Sequence, residues 1–140
     1  MDGKKVGAVS NRGHGGCHEY GFNNDTVREL NQWCKENLPK WSMDDQEYET
    51  DLEMHISNLV ADFLDTKHIK NLLKRSVVVM DDSCEEGQCW VYKFSNFKQL
   101  QRDELISGVV ARNSNDERLV NPVVLNTLPL DEAKNIFYRS

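Results

Sequence analysis

The amino-acid sequence predicts an α+β fold: a small mixed or antiparallel sheet with a central hairpin, and about five helices packed on it. Three observations lead there. Ser76–Met80 is an apolar, β-branched run, and Cys89–Phe94 alternates between two faces; the polar stretch Asp81–Gln88 between them, with Gly87, makes an antiparallel hairpin. Leu52, Ile56, Leu59, Val60, Phe63 and Leu64 recur at helical spacing, the clearest amphipathic helix in the chain. Strand and helix signals then follow in the order β-α-α-α-β-β-α-β-α, too irregular for a doubly wound sheet and suited to helices packed on a mixed one.

The elements follow in order. Lys4–Ser10 carries Val6, Ala8 and Val9 and reads as a strand. Asn11–Asn23 holds four glycines and reads as a long loop. A first helix opens at Asp25 or Thr26, with Thr26 and Glu29 at capping-box spacing, and Pro39 ends it. Lys40–Tyr48 is an acidic connection. Thr50 and Glu53 repeat the capping-box spacing ahead of the second helix. Asp65 and Thr66 look like a fresh N-cap, so a shorter third helix carries Ile69, Leu72 and Leu73 and ends on Lys74 and Arg75, where the helix dipole favours cations. After the hairpin, Phe97–Arg112 reads as a helix that Gly108 weakens. Val120–Leu125 is an edge strand because of Pro122, and Pro129 opens a last helix with Ala133, Ile136 and Phe137 inward.

With 140 residues and 39% hydrophobic residues, the chain has material for one core, and a single domain over 1–140 is expected. It has no apolar run of membrane-spanning length, and the segment after Met1 turns polar without a secretory pattern, so a cytoplasmic protein is expected. In that compartment Cys17, Cys34, Cys84 and Cys89 stay reduced. The formal net charge of −6 disfavours generic nucleic-acid binding, which needs a basic face. The acid is concentrated: Asp44, Asp45, Glu47, Glu49, Asp51 and Glu53 precede any further Lys or Arg, and Lys67, Lys70, Lys74 and Arg75 come after. Such a segment is either a solvated face or the contact surface for a basic protein partner.

Candidate chemistry lies in the glycine-rich loop, Asn11, Arg12, Gly13, His14, Gly15, Gly16, Cys17, His18, Glu19 and Tyr20. Glycines can aim successive backbone N–H groups at one anion, with Arg12, His14 and His18 assisting; a tight turn against the sheet is the competing reading. The loop matches neither the P-loop nor the dinucleotide fingerprint. His14, Cys17 and His18 are metal-ligand types, and Cys84 and Cys89 are spaced within the zinc range, but Cys17 and His18 are adjacent and awkward as joint ligands; no metal or cofactor is expected. Adjacency also makes His18 a poor base for a Cys17 nucleophile. No catalytic residue is assigned. A pocket formed by His14, Cys17, His18 and Tyr20 together would support a small-molecule site or small enzyme.

The segment Val9–Tyr20, read as N-x-G-x-G-G-x-x-x-Y after a G-x-V strand, resembles a family of uncharacterised small proteins from bacteria and their phages. The ending Leu125–Ala133 with Tyr138-Arg139, and the basic helix Lys67–Arg75 leading into a strand, are similar too. The resemblance carries over no catalytic residue. Small size, high charge, the lack of a catalytic constellation and this resemblance together suggest a non-enzymatic binding or inhibitor protein of bacterial or phage origin that acts by occupying a partner, in its sharper form an inhibitor of a basic host protein, a nuclease, whose nucleic-acid charge the acidic segment Asp44–Asp65 imitates. The alternative is a small-molecule or anion-binding domain centred on loop 11–20. The strand Lys4–Ser10 at a sheet edge further suggests a homodimer paired through that edge, although Lys4 and Lys5 oppose it.

Overall fold

A computed structural model describes residues 3–139. The chain divides into two compact units, residues 1–61 and 62–140, and the division falls inside one long helix.

In the first unit, β1 (Val9–Ser10) pairs antiparallel with β2 (Glu19–Tyr20). The strand expected over Lys4–Ser10 is thus realised only at its last two residues. Just before it, Gly7 and Gly21 let the two backbones close up, and the Gly21 N–H donates to the Ala8 carbonyl at 2.7 Å. A Cβ on Gly7 would stand 2.5 Å from the Phe22 ring and 2.9 Å from the Gly21 carbonyl oxygen. Helix α1 (Asn24–Asn37) begins one or two residues before the start expected at Asp25 or Thr26, because Asn23 caps it, its Oδ1 accepting from the Thr26 N–H at 2.8 Å. It stops ahead of Pro39, as expected.

The acidic connection is a second hairpin, β3 (Trp41–Met43) with β4 (Gln46–Tyr48), turning at Asp44 and Asp45 and closed by a Trp41–Tyr48 stack at 4.7 Å. Helix α2 (Leu52–Arg75) is capped by Asp51, whose Oδ1 accepts from the Met54 N–H, and not by Thr50. Thr50 is buried and donates to the Pro39 carbonyl at 2.5 Å.

Four α-helices, not the expected five, are present among the described residues. Asp65 and Thr66 do not break α2, which runs unbroken for 24 residues. Its apolar pattern changes phase instead. Leu59, Val60, Phe63 and Leu64 share one face; Ile69, Leu72 and Leu73 share another, turned by about half a revolution at 3.6 residues per turn. The second set is covered, but the first set stays exposed, contrary to the expectation of an inward face.

In the second unit α2 passes directly into β5 (Ser76–Met80), all five residues of which are buried. β5 is the centre of a three-stranded antiparallel sheet in the order β6-β5-β7, with β6 Trp90–Lys93 and β7 Val123–Val124. The central hairpin and the peripheral last strand are as expected; pairing begins only after Pro122. The other helices are α3 (Arg102–Ser114) and α4 (Leu130–Phe137). α3 starts later than Phe97 because Gln101 and Glu104 form the capping box, after a 3₁₀ turn at Phe94–Asn96.

The two faces of β5 feed two apolar clusters. Val78 and Met80 meet Ile69, Leu125, Ala133 and Phe137; Val77 and Val79 meet Leu105, Val109 and Val124. Among the described residues no helix is long and apolar enough to cross a membrane.

The junction of α2 and β5 has no loop to satisfy its carbonyls, so side chains do. Asn126 donates to the Leu73 and Ser76 carbonyls at 3.1 and 2.9 Å and accepts from the Val78 N–H at 2.8 Å. Arg102 donates to the Leu73 and Lys74 carbonyls while its guanidinium lies 4.6 Å from the Phe94 ring centre.

Candidate functional site

The glycine-rich loop is braced by its own first residue. Asn11 Oδ1 accepts from the Gly13 N–H at 2.8 Å, and its Nδ2 donates to the Gly16 carbonyl at 3.1 Å. Gly13 and Gly15 have φ of 75° and 80°, the left-handed region that favours glycine. Arg12 lies 3.6 Å from Glu19, both exposed. His14 and Cys17 are exposed too. Of the four side chains whose convergence was in question, two come together, His18 and Tyr20, and they meet on Glu53 in the first turn of α2.

That meeting is dense in hydrogen bonds. Glu53 Oε1 accepts from the His18 backbone N–H at 2.9 Å and lies 2.6 Å from His18 Nδ1; Oε2 accepts from the Tyr20 hydroxyl at 2.7 Å. The Tyr20 hydrogen bond, joined by those from His18, holds the Glu53 carboxyl below its usual range. Burial, then the Glu53 bond, pushes the Tyr20 phenol well up. A carboxylate facing Nδ1 makes that nitrogen a donor and leaves Nε2 as the second ring position. The His18 side chain is 9% exposed, and Nε2 is buried with no hydrogen-bond partner among the described residues. A carboxylate–imidazole pair can act as a proton relay when Nε2 reaches a substrate. Here Nε2 is sealed, and what the cluster does in this conformation is fasten the loop to α2.

The acidic segment is largely engaged within the fold. Glu53 holds the loop, Asp51 caps α2, Glu47 lies 3.8 Å from Lys40 and Glu49 3.8 Å from Lys35. Asp44 and Asp45 stand at the hairpin tip with no partner among the described residues. The four cysteines are free thiols. Cys84 and Cys89 pack beside the second unit's core, and burial raises both of their pKa values, as it does for Cys34. Among the described residues no three His, Cys, Asp or Glu side chains gather to hold a metal ion.

A different site emerges in the second unit. The last turns of α2, strand β6 and the following 3₁₀ turn line an open hollow of about 730 Å³. Its lining includes the apolar residues Leu72, Val91 and Phe94 and the polar residues His68, Arg75 and Lys93. Neither the Arg75 guanidinium nor the Lys93 ammonium has a carboxylate partner among the described residues. The volume lies within the usual range for small-molecule sites. The sequence offered half of this signal. The basic end of α2 and the Val91/Lys93 face of β6 were both readable, but that they share one hollow depends on the antiparallel pairing of β6 on the strand that continues α2. Comparison with family models, with curated proteins and with solved structures found no match.

Proposed function

We propose that the protein is a binding protein whose second unit takes a small amphipathic anion, a carboxylate or phosphate on an apolar body. One observation carries the reading: two unpaired cations, Arg75 and Lys93, stand at an apolar hollow of about 730 Å³. Apolar walls favour a hydrocarbon or aromatic body, and cations without internal partners favour an anionic head over a neutral one. The anion-binding alternative of the sequence is kept, but moved from loop 11–20, where Asn11 already takes the Gly13 N–H and Glu53 takes that of His18. A basic protein partner is the second reading, supported by the free Asp44 and Asp45 at the tip of the β3–β4 hairpin. An inhibitor role of bacterial or phage origin belongs to that second reading.

Anilinonaphthalene sulfonate, an amphipathic anion that fluoresces in apolar surroundings, tests the first reading. The wild type should bind it, octanoate should displace it, and octylamine should not. Arg75→Ala with Lys93→Ala should weaken binding by about tenfold, the low end for two ion pairs because both side chains are exposed. Val91→Asp should abolish it. Equal displacement by octylamine, or wild-type affinity in the double variant, would remove the anion reading.

A further inference from the structure

We propose that the outer edge of β6 is a docking strand for an extended acidic segment of a partner protein, which adds to the sheet as a fourth strand beside Trp90–Lys93. All the residues concerned belong to the second unit. The sheet runs β6-β5-β7, so β5 pairs with one side of β6 and leaves the other as an edge. No hydrogen bond from outside the sheet reaches the backbone of residues 90–93 among the described residues. An edge strand carries a row of unpaired N–H and C=O groups, and an added strand satisfies them.

A strand that docks in this way sends alternate side chains to the two faces of the sheet, so it needs a receptive surface on each. β6 has both. Val91 and Lys93 line the hollow described above, and Trp90 and Tyr92 line a second one of about 350 Å³ beside the end of α3. Trp90 and Val91 remain 43% and 39% exposed, so apolar surface is available on either face.

Charge says what the segment carries. The lining of the first hollow contains Arg75 and Lys93 and no carboxylate. That of the second contains Arg112, Arg118 and one carboxylate, Asp116, two cations against one anion. Arg118 already takes Asp116, donating to its two oxygens at 2.8 and 2.7 Å, and Arg112 makes no ion pair among the described residues. Neighbouring residues of a strand point to opposite faces. Two consecutive carboxylates in the segment therefore meet Lys93 with Arg75 on one side and Arg112 on the other.

The same charges argue against a second copy of this chain. Two β6 strands paired antiparallel about a two-fold axis would bring both copies of Arg75 and Lys93 to one face of the joined sheet. A lysine on a short edge strand discourages pairing with its own kind, and here it selects for an acidic strand. The inference rests on the anion reading of the first hollow and names a carrier for that anion, a carboxylate borne on an extended chain.

The probe is acetyl-Thr-Val-Glu-Glu-Val-Thr-amide, titrated into the full chain and followed through its amide NMR signals. It should shift the signals of β6, and the same peptide with Lys-Lys in place of Glu-Glu should not bind. Lys93→Glu and Arg112→Glu, both at exposed positions, should each weaken binding about tenfold. Only alternate N–H groups of an added strand face β6. Methylating one alternate set of peptide nitrogens should abolish binding, and methylating the other set should leave it. Equal effects of the two sets overturn strand addition, as does binding of the Lys-Lys peptide. Anilinonaphthalene sulfonate separates this inference from the small-anion reading. A chain that binds the dye and ignores the peptide keeps the anion site and loses the docking strand. A chain that binds the peptide with the methylation pattern, but not the dye, keeps the docking strand and loses the small-anion site. A free protein that dimerises through β6 and takes no peptide gives the edge to a second copy and overturns the proposal.

Discussion

The two units hold themselves together with different chemistry. In the second, a wholly buried strand separates two apolar clusters, and Ile69, Val77, Val78, Val79, Leu125 and Ala133 have no exposed surface. In the first, Cys34 and Leu52 are the only buried hydrophobic residues among those described, and the long-range ties are polar: Glu53 to His18 and Tyr20, Thr50 to Pro39, Asn31 to the Leu52 N–H. Apolar burial is non-directional and tolerates drift, whereas a carboxylate with three donors fixes geometry and depends on its own charge state. Damage should therefore register differently in the two units, through volume in one and through protonation in the other.

The largest effect belongs to volume. Leu125 is fully buried against Ile69, Val78 and Phe137. Leu125→Ala should cost about 3 kcal/mol, the transfer of the lost methyl groups plus the cavity they leave. Urea unfolding followed by the amide signals of β5 reads this directly. A loss below about 1 kcal/mol would mean that the cluster is loosely packed, and the contrast between the units would weaken.

Glu53→Gln tests the other half. It should cost about 1–2 kcal/mol, because the amide cannot accept from both His18 donors and Tyr20 as the carboxylate does. The pH dependence is more telling than the size. Glu53 has a folded pKa below its unfolded value of about 4.3, so its stabilisation is fully present above that pH and drains away as pH falls toward the folded value. Tyr20 has the opposite sign: its raised pKa preserves stability up to the ordinary tyrosine range and loses it above. The first unit should be most stable between these limits, and in Glu53→Gln its acid limb should flatten. Asp81, whose carboxyl is lowered chiefly by Ser83, should keep an acid limb in the second unit of the variant. Proton titration of amide signals separates the two.

The same difference in chemistry decided what could be read from the sequence. Ser76–Met80 and Cys89–Phe94 announce themselves because burial writes an apolar pattern. β1–β2 and β3–β4 are two and three residues long, too short for alternation to stand out from loop composition. Glu53 read as a capping-box residue in an acidic segment; its actual partners lie 33 and 35 residues away, and no local pattern links them. The split of α2 at Asp65 was a misread phase change: a helix that turns a new face to the protein gives the same local signal as one helix ending and another beginning. Its exposed middle was legible as an apolar face, but only the structure shows that nothing among the described residues covers it.

The smallest predicted effect lies at the β3–β4 turn, where the polar unit is least well served by its own sequence. Met43 pairs with Gln46, leaving Asp44 and Asp45 as a two-residue turn, with φ of 51° and 61°. Positive φ at both positions is what the right-handed twist of a tight hairpin requires, and Asp-Gly is a favoured sequence for it because glycine carries no Cβ to strain there. Aspartate tolerates the left-handed region better than most residues, so the strain at Asp45 is modest. Asp45→Gly should relieve it and also remove one of two adjacent like charges, while giving the unfolded chain more freedom. The net should be a stabilisation of about 0.5 kcal/mol, a rise in melting temperature of roughly 1–2 °C. Asp45→Ala keeps the Cβ but lacks aspartate's tolerance of the left-handed region, so it should destabilise by a similar amount. The Trp41–Tyr48 stack closes this hairpin and gives a near-ultraviolet circular dichroism signal with which to follow both variants. If Asp45→Gly lowers stability and Asp45→Ala does not, the turn is not strained, and the weakness of the first unit must be sought in its missing apolar core alone.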